Sequence, residues 1–233
     1  MSNPRTIART VGILFIVGTL AGIFSAVALA PTGSPEYLAT LAGMPDQIEA
    51  GALLVLVMGA SLAPIPALLY SILKRHNPTG ALGYAIFRTI EVVTFIGFSL
   101  FPMLLLWLSK WYVVAVEPDL TCIPALGALV QAANDLLDPI MTLFSSVAAL
   151  ILYAILHKSR LIPRWLSVWG LAGGALHLLA GILHLFGIHP AALDIVLTLP
   201  IALQEMVCAV WLIVRGFDLA AAGAAAPSKV ARS

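Results

Sequence analysis

Residues 84–98 read YAIFRTIEVVTFIGF, a run of apolar side chains with Arg88 and Glu91 three positions apart in its middle. Two full charges in an otherwise lipid-like helix need an explanation. An ionisable side chain at mid-membrane costs at least about 2.5–3.5 kcal/mol, so it should face the bundle interior and have a partner. Tyr84, Arg88 and Glu91 follow a four-three spacing, which places them on one stripe of a helix.

The rest of the chain has the same character. Of its 233 residues, 61% are hydrophobic and 10% charged, and the mean hydropathy is +1.03. Soluble domains carry about 25% charged residues. The apolar runs are long enough to cross a hydrocarbon core of roughly 30 Å as helices of about 20 residues. Short segments of alternating hydrophobicity, the signature of a membrane barrel, are absent. The fold class expected is all-α: a polytopic bundle of six transmembrane helices at about 10–30, 48–73, 80–109, 125–157, 165–188 and 191–214. Proline- and glycine-bearing breakers such as PTGSPE, KRHNPTG and GIHP separate the spans. Residues 1–217 are read as one six-helix domain, and 218–233 as an alanine-rich, disordered tail.

Charge sets the expected orientation. Arg5, Arg9, Lys74, Arg75, Lys158, Arg160, Arg164, Arg215, Lys229 and Arg232 fall on one side, 10 of the 12 basic residues. The other side has Lys110 with Glu36, Asp46, Glu117 and Asp119. Cytoplasmic loops are the ones enriched in Lys and Arg, so both termini are expected in the cytoplasm. Trp107, Trp111 and Tyr112 would mark the outer interface, and Trp165, Trp169 and Trp211 the inner one. The first span ends in ALA, like a signal peptide, but its apolar run exceeds the usual 7–15 residues, and a retained helix is expected. Cys122 and Cys208 lie in an outer loop and deep in span six, so no disulfide is expected. A net charge of +1 gives no reason to expect nucleic acid. Membrane lipids are the evident partners, and a homo-oligomer is left open.

Polar residues continue the pattern of the opening stretch. Span four carries Gln131, Asp135, Asp138, Thr142 and Ser145 on a three-four repeat. Span five has Ser167, Gly170, Gly174, His177, Gly181 and His184, and span six has Asp194, Thr198, Glu205 and Cys208, with Gln204 adjacent. Spans three to six are therefore expected to line a shared polar interior. Counted at 1.5 Å per residue from each span centre, Glu91, Asp138, His177 and Glu205 fall within roughly 5 Å of the midplane. Several carboxylates with one arginine leave excess negative charge, and one acid is expected to hold a proton at neutral pH. His177 and His184, one heptad apart, cannot share a metal directly. A metal held by His177, Asp138 and Glu205 and a relay through His184–Asp135 and His177–Asp138 remain geometrical alternatives. No cofactor and no metal are expected. Prolines 64, 66, 102, 139 and 200 are expected to interrupt helices and free backbone carbonyls.

Three stretches carry a family resemblance: GYAIFRTIE (83–91), KSRLIPRWLSVWGLAGG (158–174) and LPIALQEMVCAVWLIVRGF (199–217). With them the chain resembles, from about residue 7 to 217, the bacterial multi-pass membrane family known as domain of unknown function 4386. The resemblance implies six helices and a bacterial inner-membrane location, and it implies no activity. Members often have Asn where this chain has Gln204, which keeps an amide, and many lack histidines in the span matching 165–188. Arg88, Glu91 and Glu205 are then favoured over the two histidines.

Three functions fit these residues. The first is transport or binding of a small molecule, linked to protons, at Arg88, Glu91, Asp135, Asp138, His177 and Glu205. The second is a membrane-embedded enzyme acting on a lipid or amphipathic substrate. The third is a structural or regulatory membrane protein whose charges only hold the bundle together.

Overall fold

The computed structural model describes residues 3–34, 36–115, 119–188 and 190–219, with backbone alone for 119–121. Glu117, Lys229, Arg232 and the alanine-rich tail from residue 220 onward lie outside the described residues. All regular structure among the described residues is helical: α1 Pro4–Leu29, α2 Tyr37–Thr40, α3 Pro45–Leu62, α4 Pro64–Leu73, α5 Pro78–Val114, α6 Asp119–Ser159, α7 Arg164–Leu185 and α8 Ala191–Val214. Among those residues, six stretches are long and apolar enough to cross a membrane: Pro4–Gly33, Pro45–Leu73, Pro78–Val114, Cys122–Ser159, Arg164–Leu185 and Ala191–Val214. These are the six spans expected from the sequence.

Local chemistry sets where helices start. The side chains of Asn3 and Asn77 accept from the backbone N–H groups of Arg5 (3.0 Å) and Gly80 (2.9 Å), each just ahead of a proline at the first helical position. An N-cap amide followed by proline satisfies one orphan donor and removes another. The prolines are gentler than the sequence suggests. Pro64 alone divides a span, opening α4 after α3, whereas Pro66, Pro102, Pro139 and Pro200 lie inside helices that continue through them. Packing against neighbours holds the helix in place where a single ladder bond is lost. At 37 and 41 residues, α5 and α6 are about 55 and 60 Å long at 1.5 Å per residue, so their ends project beyond a ~30 Å hydrocarbon core.

Successive spans pack side by side: α1 on α3 and α4, these on α5, then α5 on α6, α6 on α7 and α7 on α8. The last span then packs on the first, closing a six-helix ring. At the closure, a Cβ on Gly12 would stand 2.5 Å from the carbonyl oxygen of Ala209. Gly173 serves the next seam, where its Cβ would meet the backbone of Ile201 at 3.0 Å. Small residues let helix backbones approach in lipid, where no hydrophobic force between helices exists. The ring's interior packs Phe15, Ile65, Tyr84, Phe95, Tyr153, Leu166 and Cys208 into one core. Its outward faces are apolar, with Phe24, Val27, Ile96, Leu129 and Val196 all more than half exposed, as lipid-facing positions require.

A second, smaller core at the other end gathers Tyr37, Leu38, Leu41, Leu105 and Leu108. There the buried hydroxyl of Ser109 accepts from the Ala42 N–H and donates to the Leu38 carbonyl, both at 2.8 Å, clamping the short α2 region onto α5. Trp107 and Trp111 stack at 4.2 Å near the α5 C-terminus, while Trp165 meets Trp169 and Trp211, each at 6.4 Å, at the opposite end of the ring. The thiols of exposed Cys122 and buried Cys208 are both free.

Gly173→Ala is expected to lower unfolding free energy in micelles by about 1–3 kcal/mol, because the Ile201 backbone cannot yield as a side chain would. A stability equal to wild type would show that α7 and α8 do not approach as closely as described.

Candidate functional site

One stripe of α5 carries Tyr84, Arg88 and Glu91 into the ring, and all three are buried. Arg88 Nη1 donates to both Glu91 oxygens, at 3.0 and 2.8 Å. One nitrogen thus serves the whole carboxylate, and the rest of the guanidinium is left for other partners. Its carbon lies 5.6 Å from the centre of the Phe15 ring on α1, a cation–π contact. Arg88 Nε and the Tyr84 hydroxyl have no hydrogen-bond partner among the described residues. Buried polar atoms are nearly always satisfied, so two orphans on adjacent side chains mark a place that a further polar group would complete.

From α8, Glu205 stands within electrostatic reach of Tyr84, Arg88 and Glu91, without a direct ion pair. Tyr153 and Cys208 border it. The neighbouring Gln204 is fully buried and donates to the Leu166 carbonyl at 3.0 Å, fixing α8 on the start of α7. Tyr153 itself fits only because Gly170 opposite has no side chain: a Cβ there would lie 2.5 Å from the tyrosine ring.

The other acids and histidines form a separate group. Asp138 Oδ2 is 3.2 Å from His184 Nδ1, joining α6 to α7. Asp135 and Asp194 lie within Coulombic reach of Asp138. His177 Nε2 is 3.4 Å from the Ser145 hydroxyl, and its other ring nitrogen is buried without a partner among the described residues. The expected shared interior is therefore corrected to two groups: Arg88, Glu91 and Glu205 in one, Asp135, Asp138 and the histidines in the other. Asp138 does not join Arg88, and it lies against His184, where the sequence paired His184 with Asp135 and His177 with Asp138.

Helix register is the reason. Gly83 faces Ile151 and Gly97 faces Leu137 across the α5–α6 seam. Asp138 is thus level with residue 96, five positions past Glu91 and about 8 Å further along α5. The span centres already implied a separation of this size, since Glu91 and Asp138 each precede mid-span on antiparallel helices and so lie on opposite sides of it. Across the α7–α8 seam, where Gly173 faces Ile201, His177 is level with residue 197, eight positions or about 12 Å from Glu205, and no group of three or more His, Cys, Asp or Glu among the described residues could hold a metal. Phe15 and Tyr153 carried no sequence signal: each is an ordinary aromatic in an apolar helix, placed at the site by ring closure and by Gly170.

The family model described as Domain of unknown function (DUF4386) matches residues 10–216, and the chain belongs to that family. No curated protein and no solved structure matches it.

Removing one member of a buried ion pair strands the other. Glu91→Gln is expected to cost about 3–5 kcal/mol of stability, whereas Arg88→Met with Glu91→Leu should come close to wild type or exceed it. Equal losses in the single and double variants, measured by unfolding in micelles, would show that the pair does more than neutralise itself.

Proposed function

We propose that this member of the DUF4386 family binds a small polar or amphipathic molecule inside the membrane, in a proton-linked transport step, at Arg88, Glu91 and Glu205. The observation that carries this reading is the incomplete satisfaction of Arg88: a buried guanidinium with one nitrogen on Glu91 and an unpartnered Nε beside the unpartnered Tyr84 hydroxyl. The ion pair lies within one helix, and Arg88 reaches a neighbouring helix through its contact with the Phe15 ring on α1, so holding the bundle accounts for little of its presence. A buried pair of this kind is also weak as a stabiliser, since desolvation offsets the attraction. Arg88 Nε and Tyr84 offer donors to a carboxylate or phosphate of the ligand. Glu91 and Glu205 compete for one guanidinium, so charge balance asks for one exchangeable proton. A ligand anion on Arg88 would change which acid holds it.

Asp135, Asp138 and His177 would then belong to a path toward the α5 C-terminal end rather than to the binding centre. The chain is a membrane protein by its six apolar helices. The excess of Lys and Arg at one end favours both termini in the cytoplasm, and the family resemblance favours a bacterial inner membrane.

Two measurements test this. In a thermal-shift screen of small organic anions, a ligand of the site should raise Tm by different amounts in acidic and neutral buffer. Glu205→Gln should fold and abolish that difference; its survival in the variant would remove Glu205 from the mechanism, and the absence of any stabilising anion would sink the site. For orientation, a membrane-impermeant maleimide applied to intact cells should label the exposed Cys122, with Cys122→Ser as control. Labelling only after lysis would reverse the assignment.

A further inference from the structure

The loop between α6 and α7 is built more firmly than a connector needs to be. Leu161 and Ile162 are buried to 0% and 1% exposure. After α8, Gly216 takes a left-handed backbone (φ 75°) that turns the chain back, and the Asp218 N–H donates to the Leu161 carbonyl at 2.9 Å. Arg160 also adopts the left-handed region (φ 56°), a conformation that favours glycine. An arginine there accepts backbone strain while directing a guanidinium to this end of the ring, and an outlier of this kind points toward use of the side chain.

Between the locked loop and the returning chain lies a cleft of about 430 Å³, lined by Arg160, Pro163, Arg164, Trp211 and Asp218. Trp211 is shared with a second concavity of about 480 Å³ along one face of α8, lined by Met206, Val207, Val210 and Val214 and ending at Arg215. One indole therefore separates a cationic cleft from an apolar groove, at the end of the ring marked by the Trp165–Trp169–Trp211 cluster. Aromatic clusters of this sort sit where headgroups meet acyl chains.

We propose that the two concavities form one phospholipid site. The phosphodiester lies between the Arg160 and Arg164 guanidinia, and an acyl chain runs along the α8 groove past Trp211. Guanidinium is the side chain suited to phosphate, through its planar set of donors. The two guanidinia of the cleft and Arg215 at the groove's end outnumber the single Asp218 carboxylate, leaving net positive charge for a phosphodiester. The contiguous apolar groove has no use in a site for a free anion.

The test is native mass spectrometry of the purified full-length chain, in micelles doped with equal amounts of phosphatidylglycerol, phosphatidylcholine and diacylglycerol. Both phospholipids should be retained, one per chain, and diacylglycerol should not. R160Q/R164Q should lower retention roughly tenfold, about 1.4 kcal/mol. Val210→Trp, which keeps both arginines and fills the groove from its lipid-exposed side, should do the same with the fold undisturbed, so the proposal stays testable if the arginine variant fails to fold. Equal retention of diacylglycerol, or wild-type retention in Val210→Trp, would overturn the site. Displacement of bound lipid by inorganic phosphate alone would make it a free-anion site and overturn the lipid assignment.

Discussion

A hydrocarbon surround supplies no hydrogen bonds, and the rest of the structure follows from that constraint. Every backbone group must be satisfied within its own segment, so each span is a helix. A charged side chain at membrane depth is costly unless it turns away from lipid. Six spans packed in chain order, with α8 returning to α1, give Arg88, Glu91 and Gln204 an inside, whereas Asp135 and Asp194 stay exposed and Asp138 half-exposed. The closure depends on close backbone approach at Gly12 and Gly173, since in lipid only packing, hydrogen bonds and lipid entropy draw helices together.

Within that ring the Arg88–Glu91 pair is self-contained. It neutralises one helix, leaving its neighbours to be held by other means: Gln204 on the Leu166 carbonyl, Ser109 on the backbone around α2, and His184 on Asp138. These ties are single hydrogen bonds or ion pairs spread over different levels. Apart from the Arg88 contact with Phe15, the charge-bearing centre carries little of the structural task that its burial first suggests, and its Arg88 Nε and Tyr84 hydroxyl, unpartnered among the described residues, remain available to a ligand or water.

Much of this was legible in order of residues. Hydropathy and breakers gave six spans, and the ends of α8 fall where the apolar run ends, at 191 and 214. The four-three spacing of Tyr84, Arg88 and Glu91 placed them on one buried face, because helical periodicity is a local property. Counting from span centres gave level only to within a few residues. The sequence places Asp138 near mid-span, yet its height relative to Glu91 depends on how α6 slides along α5, and only the facing of Gly83 with Ile151 and Gly97 with Leu137 fixes that. Nor could spacing reveal Phe15 as a neighbour of Arg88, since α1 reaches the site from 73 positions away.

The sequence by itself determined that the chain has six spans long and apolar enough to cross a membrane, where the polar stripes of spans three to six lie, and which residues carry charge into them. These are consequences of composition and of a 3.6-residue period, which need no partner to be read. The tertiary structure alone decided that the ring closes, that the acids and histidines divide into two groups, and that Trp211 joins a cationic cleft to an apolar groove. Those depend on helix register and on the meeting of distant segments, quantities set by packing at glycines and by a backbone turn at Gly216 rather than by any local pattern.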